Sequence, residues 1–178
     1  IFCTGEPQEM LYWELLAEHN RMNALAAVAA ARHAGVPVKI AVAALNQFQN
    51  VKRRMEVRGI INGITLYDDF AHHPTAIRAT LDGLRKKGNG RRIIAVLEPR
   101  SNTMKMGIWK DSLADSLASA DLVFCHSVGL KWNAKEALVS LGARAVIHDN
   151  LESLIGDIAV AAHPGDNVVV ISNGGFGG

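Results

Sequence analysis

The apolar positions change period along the chain. From Glu14 to Ala34 they recur at helical spacing, marked by Leu15, Leu16, Leu25, Val28 and Ala29, and Gly35 followed by Pro37 ends the run. A second helical stretch, "VKIAVAALNQF", comes directly after. Near Val51 the pattern turns strand-like: "MEVRGIINGITLYDD" is two runs joined by Asn62-Gly63, a dipeptide that supplies the positive φ angles of a tight hairpin. The expected organisation is a helical part over residues 1–50 and a second domain over 51–178.

Beyond the hairpin the strand-like runs "RRIIAVLE", "DLVFCHS", "RAVIHD" and "NVVVIS" alternate with helical patterns. Ile108, Trp109, Leu113 and Leu117 mark one helical apolar face, and Leu151, Leu154, Ile155 and Ile158 mark another. Such alternation predicts right-handed crossovers and an α/β fold, a Rossmann-like, mostly parallel, doubly wound sheet with an N-terminal β-hairpin. In open sheets of this kind ligands bind beyond the carboxyl ends of the strands. The segments that leave those ends are "DDFAHHP", "EPRSNT", "HS" and "SNGGFGG", so the polar chemistry gathers on one edge. The opposite ends carry "GNGRR" and "PGDN", which are expected only to turn the chain.

In "DDFAHHP", Pro74 suits the first position of a helix whose buried stripe is Ile77, Leu81 and Leu84. One acid beside that helix start would gain roughly 0.3–1 kcal/mol from the helix dipole. Asp68, Asp69, His72 and His73 together exceed that need. Asp69 is the candidate acceptor for ribose hydroxyls and His72 the candidate catalytic group, while Asp68 or His73 is expected to point into the protein. Adjacent histidines without a second cluster at ligand spacing do not make a metal site, and none is assigned. "EPRSNTMKMG" sets Arg100 and Lys105 around a helix start, an arrangement that suits a carboxylate or phosphate. Its plainer reading is a surface ion pair, with Ser101 or Asn102 as N-cap. "SNGGFGG", which includes Asn173, is neither a P-loop nor a completed GxGxxG, and reads as a loop of close approach. In "EHNRMNALAA" the Asn20 amide can cap the helix, or amide side chains there can read a purine edge; spacing leaves both open.

Composition narrows the classes. Nineteen basic residues against 17 acidic ones, for a net charge of +2, give no case for a nucleic-acid partner. No apolar run approaches the roughly 18 residues of a membrane span, and Arg32 and His33 break the alanine-rich stretch. "IFCTGEPQEM" lacks the basic and apolar regions of a signal peptide. Cys3 and Cys125 read as buried, reduced thiols, and the expected compartment is the cytoplasm. A chain that starts at Ile1 is expected to be part of a longer one.

Taken together, "EHNRMNALAA", "VKRRMEVRG" and "YDDFAHHPTAI" resemble the Mur ligases, ATP-dependent amide-forming enzymes of peptidoglycan synthesis. The resemblance implies that residues 1–50 are the C-terminal helical part of the central ATP-binding domain. Residues 51–178 would then be the C-terminal, peptide-bringing domain, truncated at its end. It implies ATP and Mg²⁺ in the full-length enzyme, with most of their ligands upstream, and a fragment inactive alone. By motif, His19, Asn20 and Asn23 would meet the adenine, and Arg54 and Asp69 the phosphate or ribose side, with His72 in the same crevice. Arg100, Ser101, Asn102 and Asn173 would lie near the second substrate. "LEPRSNTMKMG" and "SNGGFGG" look most like members that join the tripeptide L-Ala-γ-D-Glu-meso-diaminopimelate to UDP-N-acetylmuramate. The alternatives are a member that adds free L-alanine to the same sugar nucleotide, and a non-catalytic nucleotide- or peptide-binding module.

Overall fold

The computed structural model describes residues 2–3, 6–7, 10–12, 18–48, 51–87 and 90–176. The chain divides into two compact units, 1–51 and 52–178. Among the described residues, no helix is long and apolar enough to cross a membrane.

In the first unit, β1 (Phe2–Cys3) pairs antiparallel with β2 (Glu6–Pro7), and two helices follow, α1 (Glu18–His33) and α2 (Val38–Asn46). Val28 of α1 buries against Ala41 and Val42 of α2, and Ala24 of α1 is buried as well. Leu25, expected on that stripe, is 47% exposed. The end of α1 follows from Gly35, at φ +88°. Its N–H donates to Arg32 O, and Val36 N–H reaches back to Ala31 O, the paired bonds of a Schellman ending. Asn20 lies inside α1 with residues 18 and 19 helical before it, so it does not cap the helix start.

The second unit is a six-stranded sheet. Its strands are β3 (Glu56–Ile61), β4 (Ile64–Asp69), β5 (Ile93–Leu97), β6 (Leu122–His126), β7 (Ala145–His148) and β8 (Asn167–Ile171). They stand in the order β3-β4-β8-β5-β6-β7, with β3 antiparallel to β4 and every other pair parallel. Asn62 and Gly63 both take positive φ, as the hairpin turn requires.

The connections carry α3 (Pro74–Lys87), α4 (Asn102–Lys105), α5 (Lys110–Ser116), α6 (Ala134–Ala137), a 3₁₀ turn (Val139–Arg144) and α7 (Leu151–Ala161). From β4 through β7 the crossovers advance across the sheet, whereas β7 to β8 returns. Right-handed connections therefore put α3, α5 and α6 on one face and α7 on the other. Leu154 of α7 packs with Ile94, Val96, Phe124 and Val168. Ile93, Ala95 and Leu97, one residue out of phase, face the other layer, so all five residues of β5 are buried. Ile77, Leu81 and Leu84 of α3 are buried as a stripe, as are Leu113 and Leu117. Ile108 and Ile155, assigned from periodicity to buried faces, are 55% and 56% exposed.

The amino-end turns do more than turn the chain. Arg92 donates to both carboxylate oxygens of Asp166, at 3.1 and 2.6 Å, and to the carbonyl of Ala161. Asp166 also accepts the His163 N–H at 2.8 Å. Burial pushes the Asp166 carboxyl up, but the hydrogen bonds from Arg92 and His163 outweigh it and hold the carboxyl below its ordinary range. "GNGRR" and "PGDN" thus contribute the two halves of an ion-pair clamp.

Candidate functional site

Three adjacent strands, β4, β8 and β5, deliver their carboxyl ends side by side. Ser172 N–H donates to Asp69 O at 3.1 Å and Glu98 N–H to Ile171 O at 3.0 Å, so the loops after these strands start from one hydrogen-bonded row. Asp69, Arg100 and Asn173 therefore belong to a single rim.

Asp68 and Asp69 are consecutive on a strand and face opposite sides of the sheet. Asp69 is 2% exposed. Its Oδ1 accepts the Ala71 N–H at 2.8 Å and the Thr80 hydroxyl at 3.3 Å, and its Oδ2 accepts the Met55 N–H at 2.9 Å. The expected ribose acceptor is thus a buried carboxylate engaged with the chain's own donors, which pins the loop before β3 and the start of α3 to the end of β4. Asp68 faces the other way and receives the Arg53 guanidinium, Nε to Oδ2, at 3.2 Å.

His72 is exposed, with Nδ1 3.0 Å from Phe70 O and its ring edge-on to Phe70. His73 is half-buried. Its Nδ1 accepts the Thr75 N–H at 3.2 Å, which caps α3, and its ring meets Trp109 edge-on at 4.4 Å. Of the two histidines, His72 is the one presented to solvent at the rim.

Arg54, singled out in the sequence, is exposed, but the organising cation is its neighbour Arg53. Arg53 has φ +57° and its N–H is held by Glu56 Oε2 at 2.7 Å. Its guanidinium lies over the Phe70 ring, bonds Asp68, and donates to the carbonyls of Ser172 and Gly174 at 2.7 and 2.8 Å. Arg53, Asp68, Gly174 and Phe176 line a cleft of about 450 Å³ whose floor includes Leu66 and Val170.

At the end of β5, Arg100 Nη1 donates to Glu98 Oε1 at 3.2 Å, and Ser172 Oγ donates to Glu98 Oε2 at 2.5 Å. The Arg100 stem lies across Gly174, where an added Cβ would sit 2.1 Å from Arg100 Cδ. Ser101 caps α4 by accepting the Met104 N–H at 3.3 Å, the plainer of its two readings, and Asn102 is exposed in the first turn. Asn173 Oδ1 is buried without a hydrogen-bond partner among the described residues.

In the first unit, Asn20 and Asn23 stand three residues apart on α1 and share a face, with Asn20 half-buried and Asn23 exposed. The side chain of His19 lies outside the described residues. Among the described residues no group of three or more His, Cys, Asp or Glu side chains is gathered as a metal ion would need.

Arg53, Glu98 and Ser172 escaped the sequence reading. Arg53 and Glu98 sit beside candidates that drew the attention, and the only available signal was their place at the same strand ends.

A family model described as Mur ligase, glutamate ligase domain, matches residues 53–174. The chain is 51% identical over its full length to UDP-N-acetylmuramate–L-alanyl-γ-D-glutamyl-meso-2,6-diaminoheptandioate ligase of Escherichia coli strain K12, covering 39% of that protein. It is 49% identical to the ligase of the same name from Haemophilus influenzae, covering 40%. The chain therefore spans about two fifths of the length of these curated relatives. A crystal structure of a murein peptide ligase from Psychrobacter arcticus superposes with a TM-score of 0.72 at 46% identity, over 93% of this chain and 36% of that one. With the family match running from the pinned loop before β3 to the tail of β8, the chain belongs to the Mur ligase glutamate ligase domain family.

Proposed function

We propose that the chain is the C-terminal part of an ATP-dependent amide ligase that joins the tripeptide L-Ala-γ-D-Glu-meso-diaminopimelate to the lactyl carboxylate of UDP-N-acetylmuramate. Residues 1–50 would be the last helical part of a central ATP-binding domain and 51–178 the peptide-bringing domain. The observation that carries this reading is the rim where β4, β8 and β5 end: basic, acidic and amide groups stand side by side there, in a chain half identical end to end to ligases of that name.

The residues fit two kinds of substrate group. On the peptide side, Arg100 is half exposed and offers a planar fork to a carboxylate, with Asn102 and the unpaired Asn173 amide oxygen beside it. For the nucleotide, the first unit taken by itself carries amides of a kind suited to a purine edge, at Asn20 and Asn23, and the second unit taken by itself carries an exposed cation at Arg54. Asp69 serves that cation from beneath by fixing the loop that carries Arg54 and the turn that presents His72. ATP supplies the phosphoryl group that turns the sugar-nucleotide carboxylate into an acyl phosphate. This chain's part is to hold the peptide amine where it can attack that carbon as phosphate leaves, a positioning task whose effect on rate is large. The phosphate-cradling lysine loop and the magnesium ligands are assigned to the upstream part, and the fragment alone is expected to be inactive.

The test is turnover by the full-length protein with tripeptide, UDP-N-acetylmuramate, ATP and magnesium. Use of free L-alanine with refusal of the tripeptide would replace the proposed substrate. Absence of any ATP-dependent coupling would leave a binding module.

A further inference from the structure

Glu98 closes β5 at the centre of the rim, and its side chain is only 11% exposed. Its two oxygens are held differently. Oε2 takes the hydroxyl of Ser172, which is itself 1% exposed and fixed to β4 through its N–H. Oε1 faces Arg100, whose side chain is 49% exposed. An ion pair with one partner in water is weakly held, so Arg100 can turn to another carboxylate at little cost. Glu98 cannot follow, because Ser172 and the sheet fix it. A largely buried carboxylate that loses its cation needs another one.

We infer that Glu98 is a substrate-binding carboxylate: when Arg100 swings to a carboxylate of the incoming peptide, Glu98 accepts hydrogen bonds from the peptide's N-terminal ammonium, whose nitrogen is acylated after it has given up a proton to solvent. This rests on the assignment of the Arg100 loop to the peptide. The choice of the reacting amine follows from position. Glu98 touches the β8 tail through Ser172, and Arg53 grips that same tail from the side given to the nucleotide. A peptide nitrogen that must meet the acyl phosphate lies toward that side. The exchange conserves charge pairing: one internal pair opens and two pairs with a zwitterionic substrate form.

The opposing role, a restraint that merely parks Arg100, predicts the opposite sign, since freeing Arg100 would tighten peptide binding. The experiment uses the full-length ligase, with the tripeptide as substrate and the same peptide acetylated on its N-terminal amine as a competitive inhibitor. In Glu98→Gln the tripeptide KM rises roughly tenfold, as loss of a charged hydrogen-bond partner implies. The inhibition constant of the acetyl peptide, whose N-terminus carries no charge, stays within about threefold, and the KM for ATP within about twofold, because neither interaction uses the lost charge. The preference for the free amine therefore collapses. Glu98→Asp, which keeps the charge but draws it back, reduces that preference without abolishing it, and serves if Gln disturbs folding. A preference unchanged in these variants, or a fall in tripeptide KM, overturns the inference. Arg100→Ala separates the two levels: if it leaves peptide KM unchanged, the peptide assignment of the loop fails, and if it raises KM while Glu98→Gln keeps the preference, only the role of Glu98 fails.

Discussion

Asp69→Asn separates a structural carboxylate from a nucleotide contact. The native side chain takes two backbone N–H donors, from Met55 on Oδ2 and Ala71 on Oδ1, at 2.9 and 2.8 Å. Asparagine can present its carbonyl to only one of them and must turn its NH₂ toward the other, which leaves a buried donor facing a donor. The stranded N–H costs about 1–3 kcal/mol, and the surviving bond loses its charge assistance, so about 2–4 kcal/mol of stability should go. Thr80 can soften this, because its hydroxyl rotates and can accept from the new NH₂. Urea unfolding followed by tryptophan fluorescence reads the loss, since Trp109 and Trp132 both belong to the second unit. A loss below about 1 kcal/mol, together with a large rise in KM for ATP, would refute the pin and restore Asp69 as a direct ribose contact.

Gly174→Ala inserts a Cβ 2.1 Å from Arg100 Cδ, and because that atom belongs to a flexible side chain, stability should shift by less than about 1 kcal/mol while tripeptide KM rises roughly tenfold; equal loss toward ATP and peptide would count against it. Asp166→Asn should cost about 1–3 kcal/mol at pH 7. The Asp166 carboxyl is lowered in the fold, so its contribution is present above the ordinary value near 4 and is lost as pH falls through the lowered folded value, and a difference from wild type that does not shrink as the solution is acidified would contradict the clamp. Cys125 is fully buried and its thiol is pushed up to about 12 by that burial, so with Cys3 replaced by serine a disulfide reagent at pH 8 should label the native protein only at its opening rate, and immediate labelling would refute the burial.

Much of the second unit was legible. Asn62-Gly63 marks a turn because few residues tolerate positive φ at two successive positions, and the β5 run "IIAVL" is apolar throughout because helices cover both faces of its strand. Other features depend on contacts between segments distant in sequence. Period 2 says that Asp68 and Asp69 face opposite ways, but not which face is closed; that depends on α3 lying over Asp69 through Thr80. Between Arg53 and Arg54, the inward residue is decided by positive φ at Arg53 and Met55, a local conformation with no glycine to announce it. Ile108 and Ile155 fit a helical stripe in the sequence, yet α5 begins only at Lys110, and Ile155 stands beyond the arc of α7 that Leu154 buries.

The glycine-rich ending shows how the same residues can serve a chemistry of opposite polarity. Such a loop after a strand is expected to turn backbone N–H groups toward an anion. Here the Gly174 N–H is taken by Ser172 Oγ at 2.9 Å, and the groups that face a charge are the carbonyls of Ser172 and Gly174, both on the Arg53 guanidinium. Gly174 lacks a side chain because the stem of a second cation, Arg100, passes over it. The tail is therefore held between two arginines, one bonded to Asp68 and one to Glu98. A movement of Arg100 toward a substrate carboxylate frees one side of the same residues that Arg53 grips on the other. Through three residues of backbone, the peptide side and the nucleotide side of the rim share one support, so a substitution at Ser172 should disturb both substrates, whereas one at Gly174 disturbs only the side on which its new Cβ lies.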